Sequence, residues 1–128
     1  MDHFAHRDLE IDISEENGRV RVDLCGKSND RAPEAFLAPI FETVVVRAAA
    51  HGATIELHFE KLQYFNSATM GALIGFLRRV RDGDPRLAVV LIYDEGAKLQ
   101  KVSLEALRIF DVSGGFLRLE PRSFPTGG

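Results

Sequence analysis

The sequence contains one cysteine, no tryptophan and no long apolar run. The single Cys25 excludes an intramolecular disulfide and suits a reducing compartment, so we expect a cytoplasmic protein. No stretch approaches the roughly 18 consecutive apolar residues of a membrane span, so the sequence predicts no membrane insertion. The N-terminal stretch "MDHFAHRDLEIDIS" lacks the basic and apolar segments of a secretory signal.

A basic excess is also missing. The chain has 16 Lys and Arg against 19 Asp and Glu, which gives a net charge of −3. This balance argues against a nucleic-acid-binding protein, because such proteins usually carry a basic surface. The 128 residues, 45% of them apolar, are enough for one domain with its own core. We therefore expect a single domain over 1–128, with a core at about 9–120 and a tail at 121–128.

Residue patterns of an enzyme are scarce in the sequence. The four histidines (His3, His6, His51 and His58) form no metal-ligand spacing with Cys, Asp or Glu, so the sequence predicts no metal site. Glu56 and His58 share one face of a predicted strand, where a solvated pair is expected. There is no glycine-rich phosphate loop and no nucleophile–base pair. These observations favour a non-enzymatic protein without a cofactor.

Alternation of apolar and polar residues marks the strands. "LEIDIS" and "RVRVDL" alternate with period two, and Asn17-Gly18 between them predicts a tight hairpin turn. "ATIELHF" alternates in the same way, so one face of the sheet should be partly wet. "LAVVLIY" is continuously apolar, as expected of a strand covered on both faces. "GGFLRLE" predicts a last short strand.

Helical spacing of apolar residues predicts helices over about 38–50 and 67–81. Pro39 is expected in the first turn of the earlier helix, where a missing N–H costs little. In the segment "DEGAKLQKVSLEALRIF", the apolar residues do not keep to one face of a single helix. This favours two shorter helices, the second beginning at Ser103. Pro121 and Pro125 should keep the tail out of regular structure.

The element order predicts an α/β fold. Strand–helix–strand connections in the second half imply parallel neighbours with right-handed crossovers. The opening hairpin adds an antiparallel pair. We therefore expect a mixed, mostly parallel sheet of about five strands with helices packed mainly on one face.

One segment, "LHFEKLQYFNSATMGALIGFLRRV", resembles the STAS domain, a family that includes bacterial anti-sigma factor antagonists and the cytoplasmic ends of sulphate transporters. The family places a strand, a turn similar to "DSSG" and an apolar helix in this order. Here Asn66 stands where the family usually has Asp, and Thr69 where it usually has Gly. The apparent loss of the family's C-terminal helix would leave apolar surface for a partner or for a second copy of the chain.

The resemblance implies a signalling module whose partner is a serine kinase that also acts as an anti-sigma factor. Ser67 matches the serine that this kinase phosphorylates. Tyr64, Asn66, Thr69 and Met70 are candidate contacts around it. The competing interpretation makes Ser67 only a helix cap. The protein would then be a constitutive subunit of a larger assembly, such as a transporter accessory protein or a signalling scaffold.

Overall fold

The structure is a computed structural model that describes residues 2–83, 87–110 and 115–124. Within these ranges the strands are β1 (Asp2–His6), β2 (Leu9–Glu16), β3 (Arg19–Ser28), β4 (Thr54–Phe65), β5 (Val89–Asp94) and β6 (Leu117–Arg122). The helices are α1 (Glu34–His51), α2 (Ser67–Arg81) and α3 (Lys98–Glu105), followed by a 3₁₀ turn (Ala106–Phe110).

The strands form one sheet whose spatial order follows the chain from β1 to β6. The pairs β1–β2 and β2–β3 are antiparallel, and the pairs β3–β4, β4–β5 and β5–β6 are parallel. This confirms the predicted mixed, mostly parallel α/β fold. The hairpin prediction is also confirmed, because Asn17 and Gly18 both have positive φ, at 50° and 75°.

The sheet has six strands where about five were expected. The additional strand is β1, which lies before the expected start of the core at residue 9. Its sequence "DHFAH" carries no apolar alternation, and only Phe4 packs against the core. Backbone pairing holds it instead, in unbroken register from Asp2 opposite Ile13 to His6 opposite Leu9. Because this pairing depends on few side chains, the residue pattern gave no signal for the strand.

One face of the sheet carries the core. Alternate residues of the strands point to the helices and are almost fully buried, among them Ile11, Ile13, Val20, Val22, Ile55, Leu57, Val89 and Leu91. The opposite face carries mainly charged side chains, and Val90 and Ile92 of β5, the strand next to the edge strand β6, lie buried among them. The helices therefore pack on one face, as expected.

Helix α1 begins at Glu34, four residues earlier than predicted, so Pro39 lies inside the helix and not in its first turn. Proline removes the hydrogen bond to the carbonyl four residues before it, which is that of Ala35. Ala35 is exposed, so water can satisfy that carbonyl. The earlier start buries Leu37 at 1% exposure. The gain from that burial explains why the helix tolerates its proline.

The C-terminal predictions need two corrections. Ser103 does not begin a second helix; it lies within α3, and a 3₁₀ turn continues the chain directly. Strand β6 continues through Pro121, which pairs with Tyr93 of β5. Pro121 is tolerated because β6 is an edge strand, where a missing N–H breaks no ladder bond. The prediction for Pro125 lies outside the described residues. None of the described helices has the length and hydropathy to cross a bilayer.

Two glycines with positive φ, Gly18 in the hairpin turn and Gly26 within β3, allow a direct test of the backbone geometry. Replacing Gly18 (φ 75°) by Ala meets no other atom, so only backbone strain of about 1–2 kcal/mol is expected. Replacing Gly26 (φ 94°) by Ala would drive the new methyl group into the carbonyl oxygen of Asp8. Chemical denaturation should show a loss of about 3 kcal/mol or more for Gly26→Ala, clearly above that for Gly18→Ala. Equal losses would contradict the close approach at Gly26.

Candidate functional site

The turn between β4 and α2 is organised by Asn66. Its backbone is extended (φ −89°, ψ 177°), and its Oδ1 accepts a hydrogen bond from the Thr69 N–H at 2.9 Å. This is the geometry of an N-cap residue. Ser67 is the first residue of α2. The interpretation of Ser67 as the helix cap is therefore wrong, because its neighbour already satisfies the N–H group that a cap would serve.

The Asn66 side chain also holds the loop that follows β3. Its Nδ2 donates to the backbone carbonyl of Asp30 at 2.8 Å, and its own N–H donates to the carbonyl of Ser28 at 3.1 Å. A carboxylate could accept the hydrogen bond from Thr69 but could not donate to Asp30. This double role gives a physical reason for Asn at the position where the similar family usually has Asp.

Thr69 is built into the interior of the turn. Its side chain is 7% exposed, its Oγ1 donates to Asn66 Oδ1 at 2.8 Å, and the same oxygen lies 2.6 Å from Ser28 Oγ. Either hydroxyl can donate across the Ser28–Thr69 contact, and Thr69 Oγ1 also lies 3.4 Å from the Ser28 carbonyl oxygen, so the Thr69 hydroxyl is surrounded by hydrogen-bond partners inside the protein. Thr69 is not available to a partner or a kinase, so its prediction as a surface contact is wrong.

Ser67, by contrast, is exposed. Across the part of the chain that the structure describes, its hydroxyl group makes no hydrogen bond. It stands at the start of α2, where the first N–H groups have no partner within the helix and carry partial positive charge. A free hydroxyl beside such groups can accept a phosphoryl group without breaking an existing contact.

The other candidate contacts flank this hydroxyl unequally. Tyr64, at the end of β4, is 50% exposed. Met70 is partly buried and packs against the core, so only part of its side chain reaches the surface. Asn66 is also partly exposed. We call the surface formed by Tyr64, Asn66, Ser67 and Met70 the turn surface.

A groove between α1 and α2 begins about one helical turn after Ser67. Its volume is about 300 Å³. The residues lining it are Glu34, Ala38, Phe41, Glu42, Val45, Gly71, Ala72, Gly75, Phe76 and Arg79. A methyl group built on Gly71 or Gly75 would meet no atom within 4 Å. Packing inside the protein therefore does not explain these two glycines, each of which costs a helix about 1 kcal/mol relative to Ala.

Sequence reasoning did not identify Ser28 and Asp30 as parts of the turn. The carboxylate of Asp30 accepts the Ala32 N–H at 3.2 Å and lies 3.0 Å from His6 Nε2. The Ala32 N–H, and after it His6, lower the pKa of Asp30. A signal for both residues existed, because the carboxyl ends of the parallel strands β3 and β4 must lie at one edge of the sheet.

A second polar cluster lies on the sheet face opposite the helices. Glu56 and His58 of β4 are 8% and 3% exposed, so the predicted solvated pair on a partly wet face is wrong. His58 Nε2 lies 3.1 Å from Glu56 Oε1, and its Nδ1 lies 3.4 Å from Glu60 Oε1. Burial alone would lower the pKa of His58, but the hydrogen bonds to Glu60 and Glu56 raise it.

The neighbouring strand adds Asp23 to this cluster. Asp23 on β3 pairs with His58 on β4, and one possible ligand atom each from Asp23, His58 and Glu60 lie within 4.8 Å of one another. The expectation of no metal-ligand pattern therefore holds only for spacing along the sequence. Strand register brings these residues together, and register cannot be read from the histidine spacing that the sequence analysis used.

Neither a protein-family model nor a curated protein matches this sequence. The structure is similar to a crystal structure of an anti-sigma factor antagonist from Mycobacterium paratuberculosis, with a TM-score of 0.64. The two chains are 13% identical, and the similarity covers 97% of this chain and 92% of the other. At this identity the similarity establishes the fold, and it confirms the expected STAS-like fold class.

The assignment of Asn66 as the cap predicts unequal effects of two alanine substitutions. Asn66→Ala removes the cap and the link to Asp30, so it should lower the free energy of unfolding by about 2 kcal/mol. Ser67→Ala removes no hydrogen bond and should change it by less than about 0.5 kcal/mol. Urea denaturation of both variants tests this ranking. A larger loss of unfolding free energy for Ser67→Ala than for Asn66→Ala would identify Ser67 as the helix cap instead.

Proposed function

We propose that this chain is a cytoplasmic, non-enzymatic interaction module that acts as anti-sigma factor antagonists do. It binds a serine kinase or anti-sigma-factor-like protein through the turn surface, and phosphorylation of Ser67 switches the binding. The observation that carries the proposal is the hydroxyl of Ser67. It is exposed and unbonded to the described residues, while Asn66 does the capping.

The chemistry of the turn supports a switch that leaves the fold intact. A phosphoryl group on Ser67 adds a charge of about −1.5 to −2 at pH 7. The start of a helix favours negative charge, and α2 has no acidic residue in its first turn to oppose it. The added charge would therefore change the surface that a partner meets without unfolding α2. A partner fitted to the neutral turn would lose affinity.

The groove between α1 and α2 supplies a second part of the proposed docking surface. Gly71 and Gly75 lack the side chains that would fill it, and Phe41 and Phe76 contact each other beneath it with ring centroids 4.7 Å apart. Helical glycines facing open space allow a partner's backbone to approach closely. Gly71, at the near end of the groove, follows Ser67 by four residues on α2, so one partner can contact both.

The switch predicts that Ser67→Asp weakens partner binding, because the carboxylate adds negative charge at the same place as a phosphate. Tagged wild-type, Ser67→Ala and Ser67→Asp proteins would be used to capture proteins from cells that naturally produce this chain, with quantitative mass spectrometry. A protein kinase or anti-sigma-like protein should be retained by wild type and Ser67→Ala and reduced about tenfold on Ser67→Asp. Ser123→Asp serves as the control, since it adds the same charge at an exposed position in another part of the chain.

Retention of the same partners at equal amounts on Ser67→Asp and Ser123→Asp would contradict the switch. Aspartate does not always act like phosphoserine. Binding would therefore also be measured between the purified partner and this protein after enzymatic phosphorylation of Ser67.

The groove predicts opposite effects of Gly75→Ala on stability and on binding. The new methyl group meets no atom, so the free energy of unfolding should rise by about 1 kcal/mol. The same methyl group occupies the groove, so affinity for the partner identified above should fall several-fold. Thermal denaturation and calorimetry of one variant measure both effects. Higher stability with unchanged affinity would place the partner outside the groove.

A second candidate function is a constitutive subunit of a larger assembly. The observation that favours it is an apolar surface on α3 and the 3₁₀ turn, where Leu99, Val102 and Ile109 are 86%, 70% and 72% exposed. This function predicts stable co-purification with other chains, or a homodimer, that Leu99→Asp disrupts and Ser67→Asp leaves unchanged.

A further inference from the structure

We propose that Asp23, His58 and Glu60 form a binding site for a divalent transition-metal ion, with Zn²⁺ as the representative ion, on the sheet face opposite the helices. The site is separate from the turn surface and does not depend on the function proposed above. Its three side chains come from the paired strands β3 and β4: Asp23 lies opposite His58 in the strand register, and Glu60 lies at the register shift that follows this pair.

The first argument is the unsatisfied carboxylate of Glu60. The side chain is 10% exposed, and its Oε2 is buried without any hydrogen-bond partner among the described residues. Its other oxygen lies 3.4 Å from His58 Nδ1. A buried carboxylate oxygen without a donor is unfavourable, and buried charges are normally paired or bound to a metal. A cation bound by the Glu60 carboxylate supplies a partner for it.

The second argument is the orientation of His58. Its Nε2 faces Glu56 Oε1 at 3.1 Å, and the ionised carboxylate can only accept that N–H. Glu56 is held in turn by Arg19 Nη1 at 3.2 Å. Histidines that bind metals usually donate their second ring N–H to a carboxylate in this way. With Nε2 donating to Glu56, Nδ1 is the nitrogen that faces Glu60 Oε1, at 3.4 Å, and a metal ion bound there takes the place of the Nδ1 proton.

The third ligand, Asp23, is also held in place. Arg21 donates to it twice, from Nε to Oδ2 at 2.8 Å and from Nη2 to Oδ1 at 3.0 Å. Each carboxylate oxygen keeps a further lone pair, so these bonds orient Asp23 without using up its capacity as a ligand. The Asp23 side chain is 22% exposed, which gives an ion a way in from solvent.

The donor set and the charge indicate the class of ion. One imidazole nitrogen with two carboxylate oxygens suits Zn²⁺, Mn²⁺ or Fe²⁺ better than Ca²⁺ or Mg²⁺, which prefer oxygen alone. A metal ion bound at His58 Nδ1 displaces the proton that this nitrogen would otherwise share with Glu60, and the three carboxylates of the cluster then outweigh its two guanidinium groups by one negative charge. A divalent ion compensates that charge, and three protein ligands leave at least one coordination position open.

The full chain is purified in the presence of a chelator, and the chelator is then removed. Calorimetric titration of this protein with Zn²⁺ tests the site. Wild type should bind one Zn²⁺ per chain, and Co²⁺ in its place should give the visible absorption of a bound ion. Glu60→Gln keeps the shape of the side chain and should weaken binding more than tenfold. Glu56→Gln leaves the three ligands in place and should weaken it about 10- to 100-fold.

The control is His3→Gln. His3 lies on the same sheet face between the carboxylates of Asp12 and Glu10, at 2.6 and 3.5 Å, but it is exposed. This variant should keep the affinity of wild type. No saturable binding by wild type, or equal loss in His3→Gln and Glu60→Gln, would overturn the proposal. Circular dichroism of each variant shows that it is folded, and Zn²⁺ should raise the melting temperature of wild type but not that of Glu60→Gln.

Discussion

The turn depends on the side-chain amide of Asn66, which uses both of its ends at once. Its oxygen caps α2 through Thr69, and its nitrogen holds the carbonyl of Asp30 in the loop after β3. Two segments separated by 36 positions in the sequence are thereby joined at the edge where the parallel strands end. The direct consequence is that the helix does not need Ser67 as its cap, and the exposed hydroxyl of Ser67 makes no hydrogen bond to the described residues.

The two faces of the sheet follow different physical rules. On the helix face, apolar burial stabilises the fold in the ordinary way. On the opposite face, a network of acidic and basic side chains is packed closely enough to bury His58 almost completely. Buried charges are costly unless they are paired, so each must have its partner. Glu60 Oε2 is therefore informative, because among the described residues it is the only buried side-chain nitrogen or oxygen without a hydrogen-bond partner.

The sequence was a good guide wherever one residue pattern determined one element. Asn17-Gly18 specified the hairpin, and the apolar stripe of α2 matched the helix from Ser67 to Arg81. It was a poor guide where distant contacts decided the outcome. Strand β1 depends on backbone pairing, and the early start of α1 depends on burial of Leu37, which local patterns express only weakly.

In the candidate site too, the local sequence predicted some features, and contacts between distant residues decided the others. The short sequence Asn66-Ser67 identified the turn, but which of the two caps the helix depends on the position of Asp30, and the burial of Thr69 depends on Ser28. The cluster on the outer face depends on the register that places Asp23 beside His58. Single residues and their spacing do not contain such information, whereas the pairing of parallel strands does.

The most direct test of the central claim is phosphopeptide mapping of the native protein, isolated from its own cells across growth and stress conditions. The tryptic peptide from Leu62 to Arg78 contains the serine and the threonine of the turn, Ser67 and Thr69. We predict phosphate on Ser67 and none on Thr69. A fully covered peptide that is unmodified in every condition, or one phosphorylated on Thr69, would contradict the account.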